Sequence, residues 1–318
     1  MSGGRVLRIG TRASALALWQ AHHVQALIGA QAGAPRVELV HIRTTGDEQS
    51  GVPLWQAGGR AFFTREIDRA LVAGEVDVAV HSLKDLATQL EPGVTLAAAL
   101  ARADARDALV SRAGATLAAL PPGARVGTSS LRRRAFLARA RPDLAHAELR
   151  GNVPTRLKRV REGDYDAIIL AAAGLARLGL EAEISEYLPP EMFPPAVSQG
   201  VIGVCAREKD GGTLRWLLPL DDREAHLASA AERSLLRRIE GGCQVPLGAL
   251  ATVNDRLMKL TASVCALDGR QSVSAQGAAP ATLEEAVALG ERVGADLLAR
   301  GAGAIIAARR EAPQVEEP

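Results

Sequence analysis

The sequence predicts an α/β fold of two doubly wound units with a small α+β domain at the C-terminal end. Three observations predict it. Strand-like apolar runs alternate with helical stretches over the first two thirds, a pattern that belongs to parallel sheets covered on both faces. The alternation restarts near residue 105, in the charged segment ARADARDALV, which divides it into two units. From about Asp222 it gives way to one long helix, alternating segments and a further helix, the pattern of a small antiparallel sheet.

Taken in order, Arg5–Gly10 (RVLRIG) reads as a strand and Ala15–Ile28 as a helix. Val37–Arg43 is a second strand, and Phe63–Ala73 is a helix that leads into strand Val76–His81. Past the turn residues Pro121–Gly123 come strand Arg125–Gly127, helix Leu131–Ala140, strand Leu144–Leu149 and helix Pro154–Glu162. Strand Asp166–Ala171 follows, with a helix of small residues running to Leu180. The proline-rich stretch Leu188–Val197 (LPPEMFPPAV) reads as a segment crossing back to the first unit. Helix Ala225–Ile239 runs into Gly241-Gly242-Cys243, and segments 257–267 and 271–276 precede helix Leu283–Ala299. The expected domains are 1–100 with 201–218, then 106–194, then 223–310, with an acidic tail at 311–318.

A chain of 318 residues exceeds one ordinary core and suits two or three domains. Hydrophobic residues are 47% but aromatics only 3%, so the core is built from Ala, Leu, Val and Ile. Few rings also mean few stacking platforms for single-stranded nucleic acid. The net charge of +2 does not mark the whole chain as a polyanion binder. No apolar run approaches the roughly 20 residues that span a bilayer, and the N-terminus lacks the features of a secretory signal. Cys205, Cys243 and Cys265 show no Cys-x-x-Cys spacing, and the six histidines show no metal-ligand spacing. These features imply a reduced, cytoplasmic protein with no metal, no membrane partner and no nucleic-acid partner. It is expected to act as a monomer.

Charged residues gather just past the strands. Arg12 follows the first strand; Lys84 and Asp85 follow VDVAVH; Thr128, Ser129, Ser130, Arg132 and Arg133 follow Arg125–Gly127. Arg150 follows LAHAEL, and Arg177 lies beyond DAIILA. Open α/β sheets bind ligands outside the carboxyl ends of their strands. Loops are polar in any case, but five such clusters, mostly basic, outweigh that simpler explanation.

From Arg125 to Arg161 there are eleven basic residues against two acids, Asp143 and Glu148, a local net of +9, so the remainder carries −7. A solvated helical face accounts for some of them, such as Arg134, Arg141, Lys158 and Arg161. Nucleic acid would need a continuous basic surface on a far more basic domain. A small polycarboxylate in a cleft fits better, because guanidinium forks match carboxylates bidentately.

In GTSSLRRR, Gly127 ends a strand and Thr128, Ser129 or Ser130 can cap the next helix, whose free N–H groups favour an anion. LRGNVPTRLKR repeats the device, with Pro154 near the first helical position and Arg156 in the first turn. Asp85 is the one carboxylate among these cationic loops, and nearby cations favour its ionised form. It could stabilise a developing cation or move a proton; a local ion pair with Lys84 is an equal reading. Cys243, in EGGCQVP, follows two glycines and precedes a proline on an irregular turn, where a thiol could serve as nucleophile or attachment point or simply be incidental. Cys205 and Cys265 lie in apolar runs and read as buried core thiols.

Together LRIGTRASALALWQA, TTGD, HSLKD, VGTSSLRRR, LRGNVPTRL, YDAIILAAAGLARLGL, SQGVIGV and EGGCQVPLGA closely resemble the porphobilinogen deaminase (hydroxymethylbilane synthase) family. The motifs cover almost the whole chain in the family's order, and HSLKD, GTSSLRR and GGCQVP in combination are very specific. The resemblance implies two domains arranged like a type II periplasmic binding protein and a third that carries the cysteine loop. It implies a transferase of porphyrin biosynthesis that joins four porphobilinogen molecules into the linear tetrapyrrole hydroxymethylbilane, with release of ammonia. It also implies a dipyrromethane cofactor held as a thioether on Cys243. Asp85 then matches the catalytic aspartate. Arg12, Ser14, Arg150, Arg156 and Arg177 match residues that hold the acetate and propionate groups of the incoming pyrrole. Lys84, Ser130, Arg132 and Arg133 match residues around the cofactor. On this account loss of ammonia leaves an azafulvenium-type cation that Asp85 stabilises, and the carboxylates brought by each unit explain the arginine density.

The sequence departs from the family pattern at three positions. Arg60 and Ala61 stand where Lys and Gly are usual, and Ala87 where Pro is usual. Two rivals remain: a non-catalytic two-domain anion-binding protein of the same fold, and a nucleic-acid binder resting on the basic segment alone.

Overall fold

The computed structural model describes residues 6–48, 64–239 and 245–311. The chain builds three sheets.

The first sheet takes β1 (Leu7–Thr11), β2 (Val37–His41), β3 (Val78–Ser82) and β4 (Val94–Ala99), with α1 (Ala15–Gly29), α2 (Thr45–Glu48) and α3 (Arg65–Val72) between them. The second takes β5 (Asp107–Ser111), β6 (Arg125–Gly127), β7 (Ala145–Ala147), β8 (Ala167–Ala171) and β9 (Glu186–Leu188). Its helices are α4 (Leu131–Ala140), α5 (Val153–Arg161) and α6 (Ala172–Arg177). The chain then crosses back as β10 (Ile202–Arg207) and α7 (Gly211–Leu217). It continues as α8 (Arg223–Arg238), β11 (Leu247–Asn254), β12 (Leu257–Cys265), β13 (Ser272–Pro280), α9 (Leu283–Ala299) and α10 (Ala302–Glu311).

The first sheet runs β2-β1-β3-β10-β4 and the second β7-β6-β8-β5-β9, the same order twice. Within each, the first three strands are parallel. The expectation of all-parallel sheets needs correction. β10 is antiparallel to β3 and β4, and β5 is antiparallel to β8 and β9. Both exceptions are the strands by which the chain enters a sheet from the other unit, so no helical crossover sets their direction.

Both faces are covered, as the alternation predicts. In β3, Val78 and Val80 pack with Val24 and Ile28 of α1, whereas Ala79 joins Ile67 and Leu71 of α3. In β8, Ile169 packs with Phe136 of α4, whereas Ile168 and Leu170 meet Leu157 and Val160 of α5. The third sheet, β11-β12-β13, is antiparallel and shares one core with α8, α9 and α10. The fold class is thus the expected one, a pair of doubly wound α/β units and a smaller α+β unit.

The two crossing segments lie against each other. A β-carbon on Gly200 (φ +91°) would stand 2.4 Å from the carbonyl of Ala103, so only glycine admits that approach. Glu232 of α8, fully buried, binds both segments. It pairs with Arg102 (2.7 Å) and accepts from the backbone N–H of Ser198 (2.6 Å) and of Ala251 (2.7 Å). Among the described residues no helix is long and apolar enough to cross a membrane.

Candidate active site

Because β1 and β3 are parallel neighbours, as are β6 with β7 and β8, their carboxyl ends share one edge of each sheet. The loops that leave those edges carry the residues singled out from the sequence.

On the first unit they line a small cleft of about 80 Å³, which brings together Arg12, Ser14, Leu16, Gln20, His81 and Asp85. Ser14 caps α1, its hydroxyl accepting from the N–H of Ala17 at 3.4 Å. A hydroxyl that accepts in this way keeps its own proton to donate, and the helix start favours negative charge. Beneath them Gln20 donates to Ser82 at 2.9 Å, and His81 Nε2 lies 3.1 Å from Asp68 Oδ1 in a buried pair.

Asp85 ends a single 3-10 turn, Leu83–Asp85, directly after β3. It lines the cleft and makes neither a hydrogen bond nor an ion pair among the described residues. The ion pair with Lys84 weighed from the sequence is not formed. Lys84 instead reaches Gln199, Nζ to Oε1 3.4 Å, on the crossing segment. Burial pulls the Lys84 ammonium down to about 8, with Arg133 and Arg132 pushing the same way while Asp85 and Asp107 oppose.

Of the three candidate caps in GTSS, Ser130 caps α4, accepting from the N–H of Arg133 at 3.4 Å, while Thr128 Oγ1 accepts from Ser130 N. Arg132 and Arg133 turn inward and are only 4% and 6% exposed. Arg132 Nη1 donates to Asp107 Oδ2 at 2.7 Å and to the carbonyl of Pro194 at 2.6 Å. Arg133 donates to Asp107 Oδ1 from Nη2 at 2.8 Å and from Nε at 3.1 Å, and to the carbonyl of Ile169. Burial alone would raise the Asp107 carboxyl, but the two guanidinium charges hold it far below the usual carboxylate range.

Asp107 corrects the reading of Asp85 as the one acid among the cationic loops. It opens β5, and a polar residue at the head of an apolar strand was its only sequence signal. Gln199 was missed as well. It donates to Asp107 Oδ1 at 2.9 Å and to the carbonyl of Ala105 at 2.8 Å. A continuous polar path therefore runs from Lys84 through Gln199 to Asp107 and its two arginines.

Asn152 caps α5 and Pro154 sits in its first turn. Arg156 donates from Nε to the carbonyl of Gly151 at 2.7 Å. Burial, with Arg133 and Arg150 adding repulsion, lowers it to about 10. Burial also lowers Arg150. Arg177 ends α6 and donates to the carbonyl of Gly200 at 2.6 Å; burial lowers it to about 10. The mutual influence of Arg156 and Asp85, and of Lys84 and Arg133, spans the two units. By contrast Lys158 and Arg161 pair with Glu162 and Glu183 on the surface, the solvated-face reading given to them, whereas Arg141 pairs with Asp143 and ties the carbonyls of Leu117 and Leu120.

Cys243, with Arg60 and Ala61, lies outside the described residues. Cys205 and Cys265 are buried thiols, as read, and burial pushes them up to about 12 and about 11. Where Pro is usual, Ala87 offers its carbonyl, with that of Leu86, to Arg233 of α8.

The chemistry of this donor set suits a group bearing several carboxylates. Lys84, Arg132, Arg133, Arg150, Arg156 and Arg177 converge on few acids, and burial disfavours the charge of most of them. An anion that enters would relieve that penalty.

The family model described as porphobilinogen deaminase, dipyromethane cofactor binding domain, matches residues 7–215, and its C-terminal domain model matches residues 226–299. The chain is 50% identical to the porphobilinogen deaminase of Roseiflexus sp. (strain RS-1) over 95% of its own length and 99% of the relative's. Identity to that of Syntrophotalea carbinolica is 48%, over 95% of each chain. Among solved structures a periplasmic sulfonate-binding protein of Methylobacillus flagellatus is 15% identical, covering 76% of this chain and 69% of that one with a TM-score of 0.39.

Proposed function

The chain belongs to the porphobilinogen deaminase family, and from that membership we propose that Asp85 is the catalytic carboxylate of its condensation reaction. The enzyme is a transferase of tetrapyrrole biosynthesis that takes porphobilinogen as substrate and uses a dipyrromethane cofactor. Four porphobilinogen units are joined into hydroxymethylbilane, and each addition releases ammonia.

The observation that carries the assignment of Asp85 is its position in the cleft beside Arg12 and Ser14, with no hydrogen bond or ion pair among the described residues. A carboxylate oxygen is therefore available to the substrate. As the carbon–nitrogen bond of the aminomethyl group breaks, ammonia leaves with the bonding pair and the pyrrole becomes cationic. Asp85 accepts a hydrogen bond from the pyrrole N–H and stabilises that charge. When the new carbon–carbon bond has formed, the carboxylate accepts the departing α-proton, which ends on ammonia.

Arg12, Ser14, Arg150, Arg156 and Arg177 hold the acetate and propionate groups of the incoming unit. For Ser14 the support is its free hydroxyl proton at a helix start. For Arg156 and Arg177 it is a part-buried charge anchored by a backbone carbonyl.

Lys84, Ser130, Arg132 and Arg133 hold the cofactor, with Cys243 as its thioether attachment. Two guanidinium groups against the single carboxylate of Asp107 leave surplus positive charge beside Lys84. When bound, the dipyrromethane supplies the free pyrrole α-carbon to which units are added. Tethering makes each addition effectively unimolecular in one partner.

The domains are 1–100 with 201–218, 106–194 and 223–310, a division supported by the membership of the three sheets. The enzyme works as a cytoplasmic monomer without nucleic-acid or membrane partners. A merely anion-binding protein would not need a carboxylate facing its ligand's cationic centre. Intact mass of the purified enzyme tests the attachment. An adduct of dipyrromethane size is expected in the wild type and absent in Cys243→Ser, and an unmodified mass in active protein would overturn it.

A further inference from the structure

Trp19 is a large ring left 37% exposed on α1, five residues past Ser14 at the cleft. Its position is not idle. The ring stacks on His23 with centroids 5.1 Å apart and planes at 18°, which fixes its orientation. Over its face, 5.9 Å from the centroid, lies the guanidinium carbon of Arg177. Arg177 belongs to the second unit and Trp19 to the first, so this contact bridges the two units beside the cleft. The helices meet closely there. The Leu16 side chain, which lines the cleft, stands 3.6 Å from where a β-carbon on Gly174 of α6 would be.

The partners of Arg177 are unusual for a part-buried arginine. It makes no ion pair with a carboxylate among the described residues; its contacts are the Gly200 carbonyl at 2.6 Å and the indole face. Both attract a cation without cancelling its charge. Arg132 and Arg133, by contrast, face the carboxylate of Asp107. An arginine that must recruit a carboxylate gains from being held by neutral groups, because an acidic partner would compete with the ligand.

We propose that Trp19 is a positioning residue for Arg177: the indole face and the Gly200 carbonyl together aim the guanidinium at a carboxylate of porphobilinogen while leaving its charge unspent. The inference rests on the reading of Arg177 as a substrate-binding arginine. Trp19 does not touch the reacting atoms, so its removal acts on affinity and leaves the chemical step alone. A leucine keeps the apolar bulk but lacks the π face, and a phenylalanine keeps the face.

Steady-state kinetics of Trp19→Leu, Trp19→Phe, Arg177→Leu and the Trp19→Leu/Arg177→Leu double variant decide the matter. Urea midpoints confirm that each is folded. Trp19→Leu should raise KM for porphobilinogen roughly three- to tenfold with kcat held, and Trp19→Phe should restore most of that loss. In the Arg177→Leu background the Trp19 substitution should add nothing, since the two act through one contact. A wild-type KM in Trp19→Leu overturns the proposal, and so do independent, multiplying effects in the double variant. If Arg177→Leu itself leaves KM unchanged, the assignment of Arg177 is what fails, and the proposal falls with it.

Discussion

Asp107 Oδ1 accepts from Arg133 Nη2 at 2.8 Å, with the acid fully buried and the arginine nearly so. Arg132 takes the other oxygen, so one carboxylate holds two guanidinium groups inside the protein and leaves one positive charge in excess. Burial of such a cluster depends on the shared carboxylate, whose loss leaves both guanidinium groups without their acid. Asp107→Asn keeps the shape but removes the charge, leaving two cations facing a neutral amide. It should lower stability by about 3–5 kcal/mol, read as a fall in the urea midpoint. Wild-type stability in that variant would mean that the arginines are neutralised elsewhere.

The Lys84 ammonium, pulled down to about 8, gives the cofactor site a pH dependence. Its lowered value means that the folded protein releases this proton more readily than the unfolded chain. Positive charge at Nζ is therefore complete below about pH 7 and lost as pH rises through 8. Loading of cofactor-free enzyme with porphobilinogen should slow over that window. Lys84→Arg, charged at any working pH, should abolish the alkaline limb. A limb that persists unchanged in Lys84→Arg assigns it to another group.

His226 Nδ1 sits 2.8 Å from Asp221 Oδ1, the atom that also accepts from the N–H of Ala99 at 2.7 Å. The hydrogen bond with Asp221 raises the His226 pKa above its ordinary value. A raised value in the folded state stabilises below the unfolded pKa near 6.5 and is lost as pH climbs through the folded one. Thermal midpoints of wild type and His226→Gln should thus differ most below about pH 6.5 and draw together as pH rises through the raised folded value. A constant difference across that range would show that the histidine contributes packing alone.

Much of this architecture was legible in the chain. Strand Arg125–Gly127 and helices Leu131–Ala140 and Leu283–Ala299 have the bounds read from sequence, because a serine or threonine cap or a terminal glycine marks their ends. Strands Val94–Ala99, Asp107–Ser111 and Leu247–Asn254 were not identified. VTLAAA is built mostly of residues with no strand preference and takes its conformation from β10 beside it. The antiparallel entry of β5 and β10 depends on where the chain crosses between sheets, which no local pattern encodes.

At the site, strand-end loops announced Arg12, Lys84, Asp85 and the arginines, since charge in such loops has few structural uses. Asp107 and Gln199 left no comparable mark. Their roles arise from partners 25 and 92 residues away from Asp107, and only tertiary contact reveals them.

The account's central claim is that the cleft-facing carboxylate of Asp85 acts on the cation left when ammonia departs. The most direct measurement is single-turnover porphobilinogen consumption by cofactor-loaded Asp85→Asn, whose amide keeps the size of the side chain and removes its charge. The rate should fall by about 10²- to 10⁴-fold with substrate affinity and folding retained. A rate within a few-fold of wild type would contradict the claim and move the chemistry to another group in the cleft.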